Sequence, residues 1–223
     1  VLKIPPEYNR NASNVQQLGE PEVTGKWLLE YMAERLGVMD LSQIDVLDYG
    51  CGCRFASSIV NLGVPVRTYT GIDLFKPMVD FLNAEVEDPR LQFHAVSFEN
   101  ELYNPEGEKL TEASILPVGG RKYDVACMFS VITHTNPADS KAIFSILRRI
   151  IRPNGRLFFS VSLSDEVDEF GENFPDQPGT LTLYNPRLIE QLLSESGWQV
   201  IDWAPRTPRG LPILESFLCA PAS

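Results

Sequence analysis

Apolar stretches of strand length alternate with amphipathic stretches of helix length along almost the whole chain, and few folds accept that order. A strand, a helix and a second strand in succession return the chain in the same direction, so the sheet is expected to be parallel with helices packed on its faces. Glu22 to Leu36 reads as an opening helix with Leu28, Tyr31, Met32 and Leu36 on one face. Strands are predicted at Asp45–Tyr49, Val66–Asp73, Leu91–Val96, Tyr123–Phe129 and Arg156–Leu163, with helices at Phe55–Leu62 and Pro77–Glu87 between the first three. Asn136 with Pro137, and Asn185 with Pro186, each supply an N-cap and a first-turn proline for a further helix, the first ended by Pro153 and Gly155 and the second by Gly197. Gln199–Ala204 and Glu215–Ala220 are two last strands whose Pro/Gly-rich connection is too short for a helical crossover, so they are expected to pair antiparallel. The expected architecture is a single three-layer α/β domain over residues 1–223, with a mostly parallel seven-stranded sheet and an antiparallel last strand.

Composition narrows the partners. With 43% hydrophobic and 22% charged residues the chain belongs with ordinary globular proteins. Its formal charge of −11 repels polyanions, which argues against nucleic acid. The Arg148, Arg149, Arg152, Arg156 group falls at a helix end, where cations offset the macrodipole. VLKIPPEYNR lacks the apolar stretch of a secretory signal and no segment approaches a membrane span, so a cytoplasmic protein is expected. The four cysteines form no CxxC pair, and Cys51 with Cys53 lacks further ligands at finger-like spacing, so no metal site is expected.

In VLDYGCGCRF, Val46 to Phe55, a strand ends in a turn holding Gly50 and Gly52, an arrangement that lets backbone approach a ligand at a helix N-terminus. Asp73 closes the next strand in YTGIDLF, where a carboxylate can accept two hydrogen bonds from a ribose diol. The pair points to a nucleoside-bearing ligand without distinguishing one cofactor from another. A dinucleotide fingerprint would need glycine where Phe55 stands, and no YxxxK pair occurs in the chain.

From Glu22 to Ala220 the chain resembles the class I S-adenosylmethionine-dependent methyltransferases. VLDYGCG is similar to that family's first motif, GIDLF to its second, YDVACMFSVITHT (Tyr123 to Thr135) to its fourth-strand motif and LRRIIRPNGRLFFSV (Leu147 to Val161) to the segment that follows. NELYNPEG (Asn100 to Gly107) together with SVITH resembles a bacterial small-molecule subgroup with YNPxG and SVxTH boxes. Two departures stand out: Cys53 and Arg54 follow GCG where the family commonly has a further glycine, and Ser97 stands where many members place an acid.

The resemblance implies a Rossmann-like methyltransferase fold with S-adenosyl-L-methionine as cofactor. It places the methionyl end on Gly50, Cys51 and Gly52, the ribose on Asp73, and the adenine between Leu74 and Phe98 beside Ser97, with Asp48 and Ser130 as further cofactor-binding residues and the methyl directed toward Ser130 to Asn136. The implied reaction is methylation of a small-molecule acceptor, at oxygen before nitrogen, without a metal or a covalent nucleophile. His134, just after the fourth strand, is the candidate general base, while His94 inside a strand reads as structural. Ser164 to Thr180, with its acidic run Asp165, Glu166, Asp168, Glu169 and Glu172, and the opening segment Ile4 to Gly19 read as polar stretches that cover the acceptor. An NAD-dependent oxidoreductase and a non-catalytic module on the same fold are the alternatives.

Overall fold

A computed structural model describes residues 1–9, 20–100, 104–174, 176, 179–205 and 214–222. The chain falls into two compact units, residues 1–96 and 97–223. Part of the opening segment, residues 10–19, lies outside the described residues, as do 101–103 of the YNPxG stretch.

The first unit alternates as expected: α1 (Pro21–Arg35), β1 (Leu41–Tyr49), α2 (Arg54–Leu62), β2 (Val66–Asp73), α3 (Lys76–Glu85) and β3 (Leu91–Ala95). β2 runs parallel to both β1 and β3. Its last five residues are all buried, the pattern of a strand covered on both faces. Val46, Leu47, Tyr69, Ile72, Met78 and Leu82 form the core between the layers. β1 starts four residues before the expected Asp45, because the ladder is irregular there: Leu41 pairs with Val66 and Asp45 with Thr68. The two surplus residues on β1 break the alternation that marks a strand in sequence.

α1 crosses α2 at Gly25. A Cβ at that position would stand 2.2 Å from Ser58 Oγ and 2.6 Å from the Arg54 carbonyl oxygen, so the two helices touch backbone to side chain. Ser58 Oγ donates to the Glu22 carbonyl at 2.7 Å and lies 2.8 Å from that of Arg54, which ties the helices at the same point. Gly25→Ala is therefore expected to destabilise the protein by about 1–3 kcal/mol through overpacking, more than the helix propensity of alanine returns. Thermal unfolding reads this directly, and an unchanged or raised Tm would contradict the close crossing.

The second unit holds β4 (Tyr123–Met128), α4 (Pro137–Ile150), β5 (Ile151–Leu163), β6 (Phe170–Glu172), β7 (Thr182–Tyr184), α5 (Pro186–Glu195), β8 (Trp198–Ala204) and β9 (Glu215–Pro221). β4 and β5 are parallel, β9 is antiparallel to β5, and β8 pairs antiparallel with β9 as the short connection required. Both asparagine caps form: Asn136 accepts from the Asp139 amide and Asn185 from that of Arg187. Trp198 is buried on α4, its Nε1 donating to the Phe144 carbonyl at 2.9 Å.

Three expectations are corrected here. The described strands number nine rather than seven, because β6 and β7 arise inside and just after the stretch read as loop; β7 joins the end of β5 in parallel and β6 pairs antiparallel with β7. Three residues are too few to show a period. β5 begins at Ile151, not Arg156: Tyr123 pairs with Ile151 and Val125 with Arg156, so Pro153, Asn154 and Gly155 bulge out of a ladder that resumes beyond them. The arginines do more than offset the α4 dipole, since Arg148 Nε donates to the Gly197 carbonyl at 3.0 Å and Arg149 bonds the carbonyls of Glu112 and Ser114.

Candidate functional site

In the first unit β1 ends in the turn Gly50–Cys51–Gly52, with φ of 76° at Gly50 and 51° at Gly52, a left-handed backbone that glycine adopts without strain. The amides of Gly50 and Cys51 fold back onto the Ile72 carbonyl at 2.7 and 3.0 Å. The Gly52 amide donates to Asp73 Oδ2 at 2.9 Å and the Phe75 amide to Asp73 Oδ1 at 2.9 Å. Asp73 therefore latches the ends of two adjacent strands together, with one backbone donor on each carboxylate oxygen. A Cβ on Gly52 would meet nothing within 4 Å, so that face of the turn is open.

The other residues expected around this turn divide by depth. Asp48 is buried, its Oδ2 accepting from the Tyr69 hydroxyl at 2.7 Å. Cys51 is buried against Gly71, whose Cβ would stand 2.8 Å from the Cys51 Sγ. Burial, then the carboxylates of Asp73 and Asp48, push its thiol well above the usual cysteine range. Any contact of Cys51 with a ligand would be through its backbone, because the thiol is turned into the sheet. Leu74 is half-buried at the start of the β2–α3 turn. Tyr8, on the 3-10 turn Pro6–Tyr8, was not legible as part of this region; its ring lies 5.8 Å from that of Phe75 and 5.3 Å from that of Phe81.

In the second unit the YNPxG and SVxTH stretches meet. Ser97 is exposed and Phe98 buried. Asn104 Nδ2 donates to the Phe98 carbonyl at 2.9 Å, and Gly107 lies so close that a Cβ would stand 2.4 Å from the same oxygen. Asn100 and Asn104 exchange backbone hydrogen bonds, and Asn100 Nδ2 donates to the His134 carbonyl at 3.0 Å. Asn104 thus holds the backbone at Phe98, and Asn100 reaches the residue expected to act as base.

Two residues beyond β4 stands Ser130, a non-glycine residue at φ 58°, a backbone strain of the kind that collects at functional sites. Its amide is held by Ser160 Oγ at 2.8 Å. Ile132–His134 form a 3-10 turn. Behind it, Tyr184 Oη donates to the Thr135 carbonyl at 2.6 Å and lies 2.8 Å from Ser140 Oγ, which in turn is 2.7 Å from Thr135 Oγ1. Burial pushes the Tyr184 phenol above the usual tyrosine value, so it stays a neutral donor. His134 Nδ1 lies 2.8 Å from the Gly179 carbonyl. A carbonyl only accepts, so Nδ1 carries the hydrogen and the neutral imidazole has its lone pair on Nε2.

The acidic run is not uniformly solvated. Glu172 accepts from the Gly179 amide at 3.1 Å and from Thr182 Oγ1 at 3.2 Å, clamping the turn between β6 and β7. Among the described residues no group of three or more His, Cys, Asp or Glu is placed to hold a metal ion. His94 sits within β3, paired in register with Ile72.

Parallel strands joined through helices, closed by an antiparallel β9, make the mixed α/β, Rossmann-like methyltransferase fold. A family model described as a methyltransferase domain matches residues 8–202, and the chain belongs to that family. Solved structures agree in fold. The glycopeptide N-methyltransferase MtfA, crystallised with S-adenosyl-L-homocysteine, has a TM-score of 0.63 at 15% identity, covering 88% of this chain and 90% of that one. An S-adenosylmethionine-dependent methyltransferase from Clostridium acetobutylicum has a TM-score of 0.61 at 14% identity, covering 97% of this chain and 99% of that one. The complex between the Trm112 methyltransferase activator and a putative methyltransferase from Haloferax volcanii contains a chain with a TM-score of 0.64 at 12% identity, covering 99% of this chain and 100% of that one. S-adenosylmethionine is the cofactor that the family and fold imply. The residues present fit it: a carboxylate at the end of β2 suits a ribose diol, and the open face of Gly52 leaves room beside the turn.

Proposed function

We propose that the protein transfers the methyl group of S-adenosylmethionine to an oxygen of a small, partly apolar molecule, with His134 as general base. The observation that carries this reading is the hydrogen bond from His134 Nδ1 to the Gly179 carbonyl, which leaves Nε2 as the basic nitrogen. The cofactor supplies a methyl group already activated by its sulfonium. Asp73 accepts hydrogen bonds from the ribose, and Asp48, Gly50, Cys51, Gly52 and Leu74 complete the holding of the cofactor on the first unit. Ser97, Phe98 and Ser130 are further cofactor residues in this reading. Nε2 of His134 takes the proton of the acceptor hydroxyl, a group almost unionised at neutral pH and so in need of a base. Positioning supplies most of the remainder, up to roughly 7–11 kcal/mol for a well-oriented displacement.

The acceptor is inferred to be small and partly apolar from residues 164–180, where Phe170 and Phe174 remain 42% and 49% exposed on an otherwise polar stretch. Rings left in water on such a segment gain by closing over an apolar ligand. The charge of −11 disfavours a polyanionic acceptor. No described helix is long and apolar enough to cross a membrane, and all four cysteines are free thiols, which suits the cytoplasm.

Incubation with methyl-labelled S-adenosylmethionine and a size-fractionated cell extract tests the acceptor class. Label is expected in the low-mass fraction, on oxygen. Label on protein or nucleic acid, or on nitrogen alone, would overturn the reading.

A further inference from the structure

The 3-10 turn that carries His134 is tied down by three separate bonds from elsewhere in the second unit. Asn100 Nδ2 donates to the His134 carbonyl, and the Gly179 carbonyl accepts from the ring. The third bond falls on the next residue: Tyr184 Oη lies 2.6 Å from the Thr135 carbonyl oxygen and 2.8 Å from Ser140 Oγ. A phenol has one hydrogen and a carbonyl has none to give, so that hydrogen goes to Thr135. Thr135 Oγ1 in turn donates to the Ile132 carbonyl at 3.1 Å, closing the turn on itself.

Tyr184 is fully buried. A phenylalanine would fill the same space with no polar atom to desolvate, so what tyrosine adds at this position is the bond it makes. Its backbone is pinned as well. The Tyr184 carbonyl accepts from the Ser164 amide at 2.9 Å, Leu163 of β5 is its partner in register, and the Asn185 amide donates to the Glu169 carbonyl at 2.8 Å. The phenol is therefore a fixed point carried by the sheet, whereas a three-residue 3-10 turn is too short to fix itself. Gly179, which meets the imidazole, belongs to the same β6–β7 hairpin as Tyr184. One hairpin thus holds both the ring of His134 and the backbone that follows it.

We propose that Tyr184 is a positioning residue for His134: its hydroxyl fixes the turn so that Nδ1 meets the Gly179 carbonyl and Nε2 is left as the base. The inference rests on His134 as the general base, and Tyr184 itself touches no reacting atom.

The chain has two histidines, so nitrogen NMR of histidine-labelled protein resolves both rings, and His134→Ala assigns them. The wild type is expected to show His134 as one neutral tautomer with its hydrogen on Nδ1. Tyr184→Phe should turn that into a mixture of tautomers and leave His94 unchanged. Ser140→Ala removes a neighbour of the phenol but keeps the bond to Thr135, so its His134 spectrum should match the wild type even where its Tm is lower. Rates complete the test: label transfer from methyl-labelled S-adenosylmethionine into the low-mass extract fraction, at saturating cofactor. Tyr184→Phe should lower this rate roughly 10- to 100-fold, the scale of a small misplacement of a reacting group, with the affinity for S-adenosylhomocysteine unchanged. Combined with His134→Ala, Tyr184→Phe should cost nothing further, because both changes remove one function. A single Nδ1–H tautomer in Tyr184→Phe overturns the proposal, and so does a rate loss that adds in full to that of His134→Ala. A tautomer mixture in Ser140→Ala also overturns it, a result that needs no folded Tyr184→Phe protein. Wild-type His134 with its hydrogen on Nε2 overturns the general-base reading itself, and this inference with it.

Discussion

His134→Ala is expected to lower turnover roughly 10²–10⁴-fold, the range for removing a general base, while affinity for S-adenosylhomocysteine stays put. Two functions of the side chain have to be separated. Its Nδ1 holds the Gly179 carbonyl at 2.8 Å, so alanine also releases the turn between β6 and β7. His134→Asn distinguishes them, because the asparagine amide can offer a hydrogen to the same carbonyl but has no basic nitrogen. If His134 is the base, both variants lose turnover alike. A His134→Asn variant with near-normal turnover would reduce the residue to a tether for residues 164–180. The comparison is made with the acceptor that the labelling experiment identifies, following product formation at saturating cofactor.

Asp73→Ala is expected to weaken S-adenosylhomocysteine by about 2–3 kcal/mol, or roughly 30- to 150-fold, the scale for losing charged hydrogen bonds to a diol. The carboxylate also accepts from the amides of Gly52 and Phe75, so alanine leaves both donors without their acceptor and loosens the turn. Asp73→Asn presents an amide NH2 where one of those two donors requires an oxygen, and should bind between wild type and alanine. Calorimetry gives the affinities and thermal unfolding the loosening. An affinity unchanged in Asp73→Ala would move the ribose elsewhere, whatever happens to the Tm.

What the sequence made legible follows from the range of the interactions involved. β2 is found residue for residue, Val66 to Asp73, because its last five residues are all buried and read as one apolar-rich run. The caps at Asn136 and Asn185 are local chemistry, readable from one residue and the proline after it. β6 and β7 exist because Tyr184 and Glu172 are fixed by partners 10 to 49 positions away, and no local pattern announces that. The early starts of β1 and β5 were hidden by surplus residues in their ladders.

The candidate site divides in the same way. Asp73 and the Gly50–Gly52 turn were legible, since a strand end and a glycine pair are local signals. The hydrogen bond from Asn100 to the His134 carbonyl spans 34 positions and appears only once the chain is folded. Arg54 was visible as a departure from a pattern. Cys51 shows the reverse: its position in the motif was plain, and only the structure reveals that its thiol faces Gly71 rather than the open side.

The central claim is that the glycine turn and Asp73 hold an adenosyl amino acid. Titration of the wild-type protein with S-adenosylhomocysteine and, separately, with NAD tests it most directly, with heat release followed to saturation. The account predicts saturable binding of S-adenosylhomocysteine at one site per chain and no binding of NAD. Binding of NAD without binding of S-adenosylhomocysteine would contradict it.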